Sequence, residues 1–403
     1  MQVNFPSEFL WGAAISSYQT EGGNSNTDWC LWEKEKKITL CDRASNHYKF
    51  FREDFKLAKE LNLKSLRISL EWARIFPQKG EFSSEALKHY KESIVILNSL
   101  GIKPFVTLHH FTNPIWFSDL GGWTLSENID YFLEYLKKVV NEFKSDVEYW
   151  LIINEPMVYL FNGYVSGIWP PGMQSVNIAK KVLDNLTNAY CQGYKEIKNI
   201  YKEAGLECNV SFAKHIRKFS PCPRLNFGQN YISASFRDKI FNIDLLDYLS
   251  GKSCLDFIAV NYYCKEYVKF NGIIGSECLH QNHKEHKNYL NWYIYPHGFY
   301  EFLKRFEKYK LPIFITENGT AERDDSLYEK YLLSHLKSVA RAFSEGIDIK
   351  GYSWWSLIDN FEWDKGFGPR FGLIEIDYGN FKRKIKPFAH TYAKICRDNR
   401  VTI

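Results

Sequence analysis

Eight short apolar runs, separated by longer stretches with helical periodicity, constrain this chain more than any other feature. The runs are Phe9–Ala14, Ser65–Ile68, Pro104–Leu108, Trp150–Ile153, Val210–Ala213, Phe257–Val260, Ile313–Thr316 and Tyr352–Trp354. Each has the length and content of a strand. Amphipathic helical patterns lie between them: Glu53–Leu61, Ser84–Leu100, Asn128–Phe143, Ile178–Ala204, Asn230–Leu249, His297–Tyr309 and Leu327–Glu345. Gly101, Gly205 and Gly346 follow three of these patterns as stop signals. Strand and helix in strict alternation predict repeated βα units. Eight units favour one closed parallel (β/α)8 barrel, a TIM barrel, over a doubly wound sheet. No Pro/Gly/Ser-rich linker or low-complexity tract divides the chain, so residues 1–403 are expected to form a single domain.

In such a barrel the chemistry sits where strands end. Read in order, the ends give Gln19 and Glu21 after the first run and Arg67 in the second. They give His109 and His110 after the third, and Asn154 and Glu155 after the fourth. Asn261 and Tyr263 follow the sixth, Glu317 the seventh, and Trp355, Glu362 and Trp363 the eighth. Two segments stand out, Ile152-Ile153-Asn154-Glu155-Pro156 and Ile315-Thr316-Glu317-Asn318-Gly319, because each is an apolar run ending on a glutamate. Buried carboxylates without partners are rare, so two delivered alike point to a pair across one pocket. Such a pair suits hydrolysis of a glycosidic bond, with one group as acid and the other as nucleophile or base. A separation of about 5–5.5 Å would mean retention of configuration, and about 6.5–9.5 Å inversion. Arg67 is placed to supply a neighbouring positive charge, which is compatible with a structural ion pair inside the barrel.

Composition excludes several other classes. The net charge is +5, and the lysine clusters Lys34-Glu35-Lys36-Lys37 and Lys382-Arg383-Lys384 are short and mixed, which argues against a nucleic-acid partner. No stretch reaches the roughly 18 apolar residues of a membrane span. Met1-Gln2-Val3-Asn4-Phe5-Pro6 lacks the basic and apolar regions of a secretory signal. Nine cysteines, an odd number without a C-x-x-C pair, read as reduced thiols in a cytoplasmic protein. The glycosylation-like triplets at Asn185, Asn209 and Asn318 are taken as chance matches. With 12 Trp and 26 Tyr, aromatic residues make up 17% of the chain, which suits sugar stacking as well as an aromatic core. No metal is expected. Adjacent His109 and His110 on a strand point to opposite faces, so one of them is a sugar-hydroxyl contact rather than half of a metal site. The loop histidines His280, His283 and His286 lack ligand-type partners at convincing spacing.

The motifs carry a resemblance over nearly the whole chain. Ser17-Tyr18-Gln19-Thr20-Glu21-Gly22, Asn154-Glu155-Pro156, Asn261-Tyr262-Tyr263, Thr316-Glu317-Asn318-Gly319 and Trp355-Ser356-Leu357-Ile358-Asp359-Asn360-Phe361-Glu362-Trp363 occur in order. Together they resemble glycoside hydrolase family 1, the retaining β-glycosidases, and Arg67 to Pro77 looks most like its compact archaeal-type branch. The resemblance implies that Glu155 is the acid/base and Glu317 the nucleophile, with Arg67 and Tyr263 in contact with the nucleophile. It implies that Gln19, His110, Asn154, Glu362 and Trp363 bind the hydroxyls of the non-reducing sugar and that Trp355 stacks under its ring. It implies no cofactor. The partner is then a small-molecule β-glycoside or oligosaccharide, with a terminal β-D-glucosyl residue expected and galactosyl or fucosyl as further candidates. Phe111-Thr112 departs from the family's Trp-Asp after the histidine, which bears on the contact to the sugar's 3-OH. The chain is short for the family, so several loops must be trimmed. Trp169, in Ile168-Trp169-Pro170-Pro171-Gly172, either stacks an aglycone or packs against a loop.

The alternatives are a 6-phospho-β-glycosidase, which Glu362 disfavours by repelling a phosphate, and a transglycosylase with the same residues. A catalytically dead sugar-binding barrel would have lost a carboxylate, and both are present.

Overall fold

The computed structural model describes residues 2–223, 228–278 and 285–402. Eight parallel strands close into a barrel: β1 (Leu10–Ala14), β2 (Ser65–Ser69), β3 (Lys103–His109), β4 (Tyr149–Asn154), β5 (Asn209–Pro221), β6 (Ile258–Lys269), β7 (Ile313–Asn318) and β8 (Ile349–Trp355). Neighbours pair in chain order from β1 to β8, and β8 pairs back with β1, so the sheet has no edge. All eight expected strands are present, six of them within a few residues of their predicted bounds.

Local chemistry explains the helices between them. The helix Ile129–Phe143 buries Phe132, Leu133, Leu136, Val139, Val140 and Phe143, a stripe at three- and four-residue spacing that faces the sheet. Each such side chain contributes about 1.5–3 kcal/mol on burial. Caps fix the helix starts. The Ser83 hydroxyl accepts from the Ala86 N–H at 3.1 Å, and Ser175 serves Val176–Ala204 in the same way. That long helix stops at Gly205, whose φ of 67° is unfavourable for a residue with a side chain. A closing helix, Pro387–Asp398, follows β8 and completes the ring; the sequence reading had not singled it out.

The barrel's lower end is plugged by aromatic rings at the strand starts. Phe105 stacks on Tyr149 with centroids 4.3 Å apart, and Phe257 meets Phe314 at 5.2 Å. This floor leaves only the upper end for chemistry. Six tryptophans (Trp11, Trp29, Trp72, Trp123, Trp150 and Trp354) are fully enclosed core, so much of the aromatic excess is packing.

β5 and β6 run well past the predicted Val210–Ala213 and Phe257–Val260. They pair as far as Pro221 and Val268 and form a ribbon above the barrel rim. Here the expectation of nine reduced thiols fails. Cys222 and Cys278 are joined by a disulfide, with Cα atoms 6.0 Å apart. The cause is topological. Cys222 N–H donates to Val268 O and Cys278 N–H to Tyr267 O, so the ribbon brings together two cysteines 56 residues apart. The other seven cysteines are free.

Candidate functional site

Glu155 and Glu317 both reach the upper end of the barrel. Glu155 follows β4 directly, and its N–H donates to Ala213 O at 2.8 Å. It sits at φ 42°, ψ 57°, a left-handed conformation that costs a non-glycine residue about 1–3 kcal/mol and that clusters at functional positions. Pro156 then opens the next helix, at the position where a missing N–H costs nothing. The pairing of β4 with β5 shifts register between Leu151 and Asn154, and that of β6 with β7 shifts between Val260 and Asn261. Such irregularities re-aim side chains, and both precede a site asparagine.

Arg67 organises the floor of the site. Its Nη1 donates to Glu317 Oε1, its Nη2 to Asn154 Oδ1 at 2.6 Å, and its Nε to Thr107 Oγ1 at 2.9 Å. The Tyr263 hydroxyl donates to the other Glu317 oxygen at 2.5 Å. Glu317 is therefore held from both sides. Burial pushes its pKa up to about 7; Arg67 opposes this, and the charge of Glu155 adds to it. Burial also keeps the Tyr263 phenol far above its ordinary range, so it stays a neutral donor.

Glu155 is bound on one oxygen. Oε1 accepts from Asn261 Nδ2 at 2.7 Å and faces His215 Nδ1 at 3.1 Å. Thr316 Oγ1 donates to Asn261 Oδ1 at 2.7 Å and so orients the amide. Oε2 of Glu155 accepts no hydrogen bond among the described residues. Burial raises the Glu155 pKa, but a protonated His215, together with the bonds on Oε1, brings the carboxyl below its ordinary value. Burial in turn pushes His215 below the usual imidazole range. Where the ring is neutral it offers Glu155 only a hydrogen bond.

The remaining predicted residues ring the same space. Burial, then Arg67, holds His110 far below its ordinary pKa. Its Nε2 accepts from Asn154 Nδ2 at 3.1 Å, and the buried Nδ1 has no partner among the described residues. The His110 ring lies nearly parallel to Trp355 and to Trp363, at 6.1 and 6.3 Å. Gln19 is fixed by Ser16 at 2.7 Å and donates to Phe361 O at 2.9 Å and to Glu362 Oε2 at 3.2 Å. Burial, then Asp364, pushes Glu362 up to about 8. Arg67, Asn154, Glu155, Tyr263 and Glu317 thus form one bonded cluster, Gln19 and Glu362 another, and His110 joins the first to the two tryptophans. Two carboxyls, amides and aromatic faces make a site for acid and nucleophilic chemistry on a polyhydroxylated ring.

Three candidates lie elsewhere. Glu21 turns away to Arg74 Nε and the Tyr90 hydroxyl, each at 2.8 Å. His109 faces Asn113 Oδ1 at 3.0 Å and packs on Trp123, so His110 is the histidine of the pocket. Trp169 is buried against Trp29, Phe111 and Trp363, which is the packing role. Asn185 and Asn318 are buried and bonded, which prevents glycosylation at these triplets. His280 and His283 lie outside the described residues; His286 faces Glu322 at 3.4 Å. Among the described residues no three His, Cys, Asp or Glu side chains are grouped to hold a metal ion. His215 was missed, because the strand-end reading passed over the fifth run. Lys214 and His215 follow Ala213 directly, so the rule applied to the other strands would have found them.

Known proteins resemble the chain over its whole length. The family model for glycosyl hydrolase family 1 matches residues 1–241 and 237–401. A β-glycosidase from Pyrococcus horikoshii superimposes with a TM-score of 0.93 at 35% identity, covering 100% of this chain and 97% of its own. β-Glucosidase A of Thermotoga maritima is 29% identical, with 98% of each chain covered. A 6-phospho-β-galactosidase of Clostridium acetobutylicum is 26% identical, over 99% of this chain and 98% of its own.

Proposed function

The chain belongs to glycosyl hydrolase family 1 and is a β-glycosidase, and on that premise we propose which residues it uses and on which sugar. Residues 1–403 are taken as one catalytic domain. Glu317 is the nucleophile and Glu155 the acid/base of a retaining reaction. The observation that carries this division is the unequal holding of the two carboxyls. Arg67 and Tyr263 grip both oxygens of Glu317, fixing a carboxylate for attack on the anomeric carbon. Glu155 keeps Oε2 free to give its proton to the departing oxygen. The bond from the anomeric carbon to the leaving oxygen breaks as the Glu317–carbon bond forms. Water then displaces Glu317, and Glu155 takes the water's proton, which restores the β configuration.

His110, Asn154, Gln19, Glu362 and Trp363 bind the hydroxyls of the terminal sugar, and Trp355 takes its C–H face. The sugar is an unphosphorylated β-D-glucosyl residue, with galactosyl and fucosyl residues as further substrates. A phosphate beside Glu362 would meet a half-buried carboxyl and the nearby charge of Asp364. A cytoplasmic location belongs to the same proposal and rests on seven free thiols against one bonded pair. No helix among the described residues is long and apolar enough to cross a membrane.

The test is kcat/KM on matched aryl β-D-glucoside, β-D-galactoside and β-D-glucoside-6-phosphate, with the first-formed anomer read by NMR. Turnover of the neutral sugars with β product is expected. Preference for the phosphate would overturn the sugar-site reading, and an α product the retaining one.

A further inference from the structure

His215 lies outside the set of residues assigned above, yet it touches the heart of the site. Its ring is 5% exposed and clamped between two others. Tyr263 lies nearly parallel at 5.8 Å, and Phe241 meets it edge-on at 5.7 Å. The clamp fixes the ring plane, and Nδ1 lies 3.1 Å from Glu155 Oε1. A carboxylate oxygen can only accept, so the hydrogen of this bond is on Nδ1. Nε2 is then an acceptor, buried and without a partner among the described residues. The backbone behind the ring is pinned as well. Lys214 Nζ donates to His215 O at 2.7 Å and to Phe241 O, and Arg217 N–H donates to Asn242 Oδ1 at 3.0 Å. Such enclosure is more than packing needs for a polar ring, since a buried unpartnered nitrogen costs about 1–3 kcal/mol.

We propose that His215 is a positioning residue for Glu155: its Nδ1–H fixes Oε1, so that Oε2 alone carries the proton to the departing oxygen. The inference rests on the reading of Glu155 as acid/base and deepens it. Asn261 shares the task from β6, so the carboxyl is held by one donor from each of the adjacent strands β5 and β6. The charged and titratable groups facing the ring are Glu155, Lys214, Arg217 and Tyr263. Arg217 is paired with Glu266 at 2.7 Å, and burial brings Lys214 down to about 7. On the turn that carries Phe241, Lys239 and Asp244 pair with each other at 2.6 Å. Of these groups only His215 hydrogen-bonds Glu155. Its hydrogen bond favours the ionised carboxyl, so removing it moves the loss of the acid form to higher pH.

The experiment compares kcat/KM on an alkyl β-D-glucoside, whose leaving group needs a proton, with that on 2,4-dinitrophenyl β-D-glucoside, whose leaving group does not. His215→Phe keeps the ring and removes the donor, His215→Ala removes both, and His215→Asn restores a donor. For His215→Phe the alkyl substrate should lose about 10-fold or more while the dinitrophenyl substrate changes by less than about 3-fold. The basic limb of the pH profile should move to higher pH, and His215→Asn should recover most of the alkyl rate. Equal losses on both substrates, or none, overturn the proposal, and His215→Ala decides the same question if the Phe variant does not fold. Glu155→Gln on the same pair separates the two readings. A selective loss there without one in the His215 variants sinks only the role of His215. No selective loss in Glu155→Gln sinks the acid assignment itself.

Discussion

The barrel wall holds two pairs of buried glutamates with an arginine beside each. Glu155 and Glu317 are 6% and 4% exposed, and Glu71 and Glu21 are 0% and 4%, so burial does not distinguish them. Nor does a raised pKa, because burial, with the neighbouring Glu21, pushes Glu71 up to about 7, as it does Glu317. Bonding distinguishes them. Glu71 accepts from Thr112 on both oxygens, from Ser17 at 3.1 Å and from the Ala73 N–H, while Arg74 and Tyr90 take both oxygens of Glu21. That pair is satisfied by protein alone. In the other pair one oxygen of Glu155 is left without a hydrogen-bond partner among the described residues, and so is the buried His110 Nδ1. A buried carboxyl is thus a candidate for catalysis when the fold leaves part of its bonding capacity open.

Substitutions at each pair can break this comparison. Glu317→Gln should lower kcat by about 10⁴-fold or more, the scale seen for removal of a nucleophile. Glu155→Gln should cost about 10²–10⁴-fold on a substrate with a poor leaving group. Steady-state kinetics on the folded variants checks both, and residual activity within a factor of ten of the parent would remove that residue from its role. The pH profile gives a smaller effect. The reaction needs Glu317 ionised and Glu155 protonated. Burial lifts Glu317 to about 7, while Glu155, though burial raises it, is held below its ordinary value by His215 and the bonds on Oε1. A falling pH therefore removes one group as it restores the other, and kcat/KM should stay nearly level from pH 7 to 5 and fall above 7. A steep fall between pH 7 and 5 would contradict these protonation states.

The weakest effect falls on the sealed pair. Glu71→Gln should leave kcat/KM within about 3-fold, while changing stability in a pH-dependent way. The folded Glu71 has its pKa raised above the unfolded value of about 4.3. Its contribution is therefore fully present below that value and lost as pH rises through 7. Relative to the parent, the Gln variant should gain up to about 3 kcal/mol between pH 5 and pH 8, read as a rise in the difference between their Tm values. A difference that does not change with pH would mean that Glu71 is ionised throughout.

Legibility in the sequence followed the same physics. Barrel strands are continuous apolar runs, so all eight were readable, and carboxyls ending two of them were readable as a pair. The ribbon of β5 and β6 was not. Beyond Ala213 it reads Lys214-His215-Ile216-Arg217-Lys218, and polar residues on a two-stranded extension end the apolar signal before the strand ends. The Cys222–Cys278 bond was lost with it, since only that pairing brings the two together. Glu21 shows the opposite failure. It ends a strand region as Glu155 does, but a helical turn over Ser17–Glu21 swings it outward to Arg74. Sequence position gives the end of the barrel, and the turn after the strand decides which side chains enter the pocket. Thr112 donates to Glu71, which ties that position to the sealed pair.

The central claim is that Glu317 forms a covalent bond to the sugar. It is tested most directly by incubating the protein with 2,4-dinitrophenyl 2-deoxy-2-fluoro-β-D-glucoside. The fluorine slows the second step more than the good leaving group allows the first to slow. Mass spectrometry of the digest should then find one fluoroglucosyl group, on Glu317 in the peptide carrying Thr316-Glu317-Asn318-Gly319. A group attached to Glu155, or intact inhibitor with no adduct on a protein active toward the parent glucoside, would contradict the account.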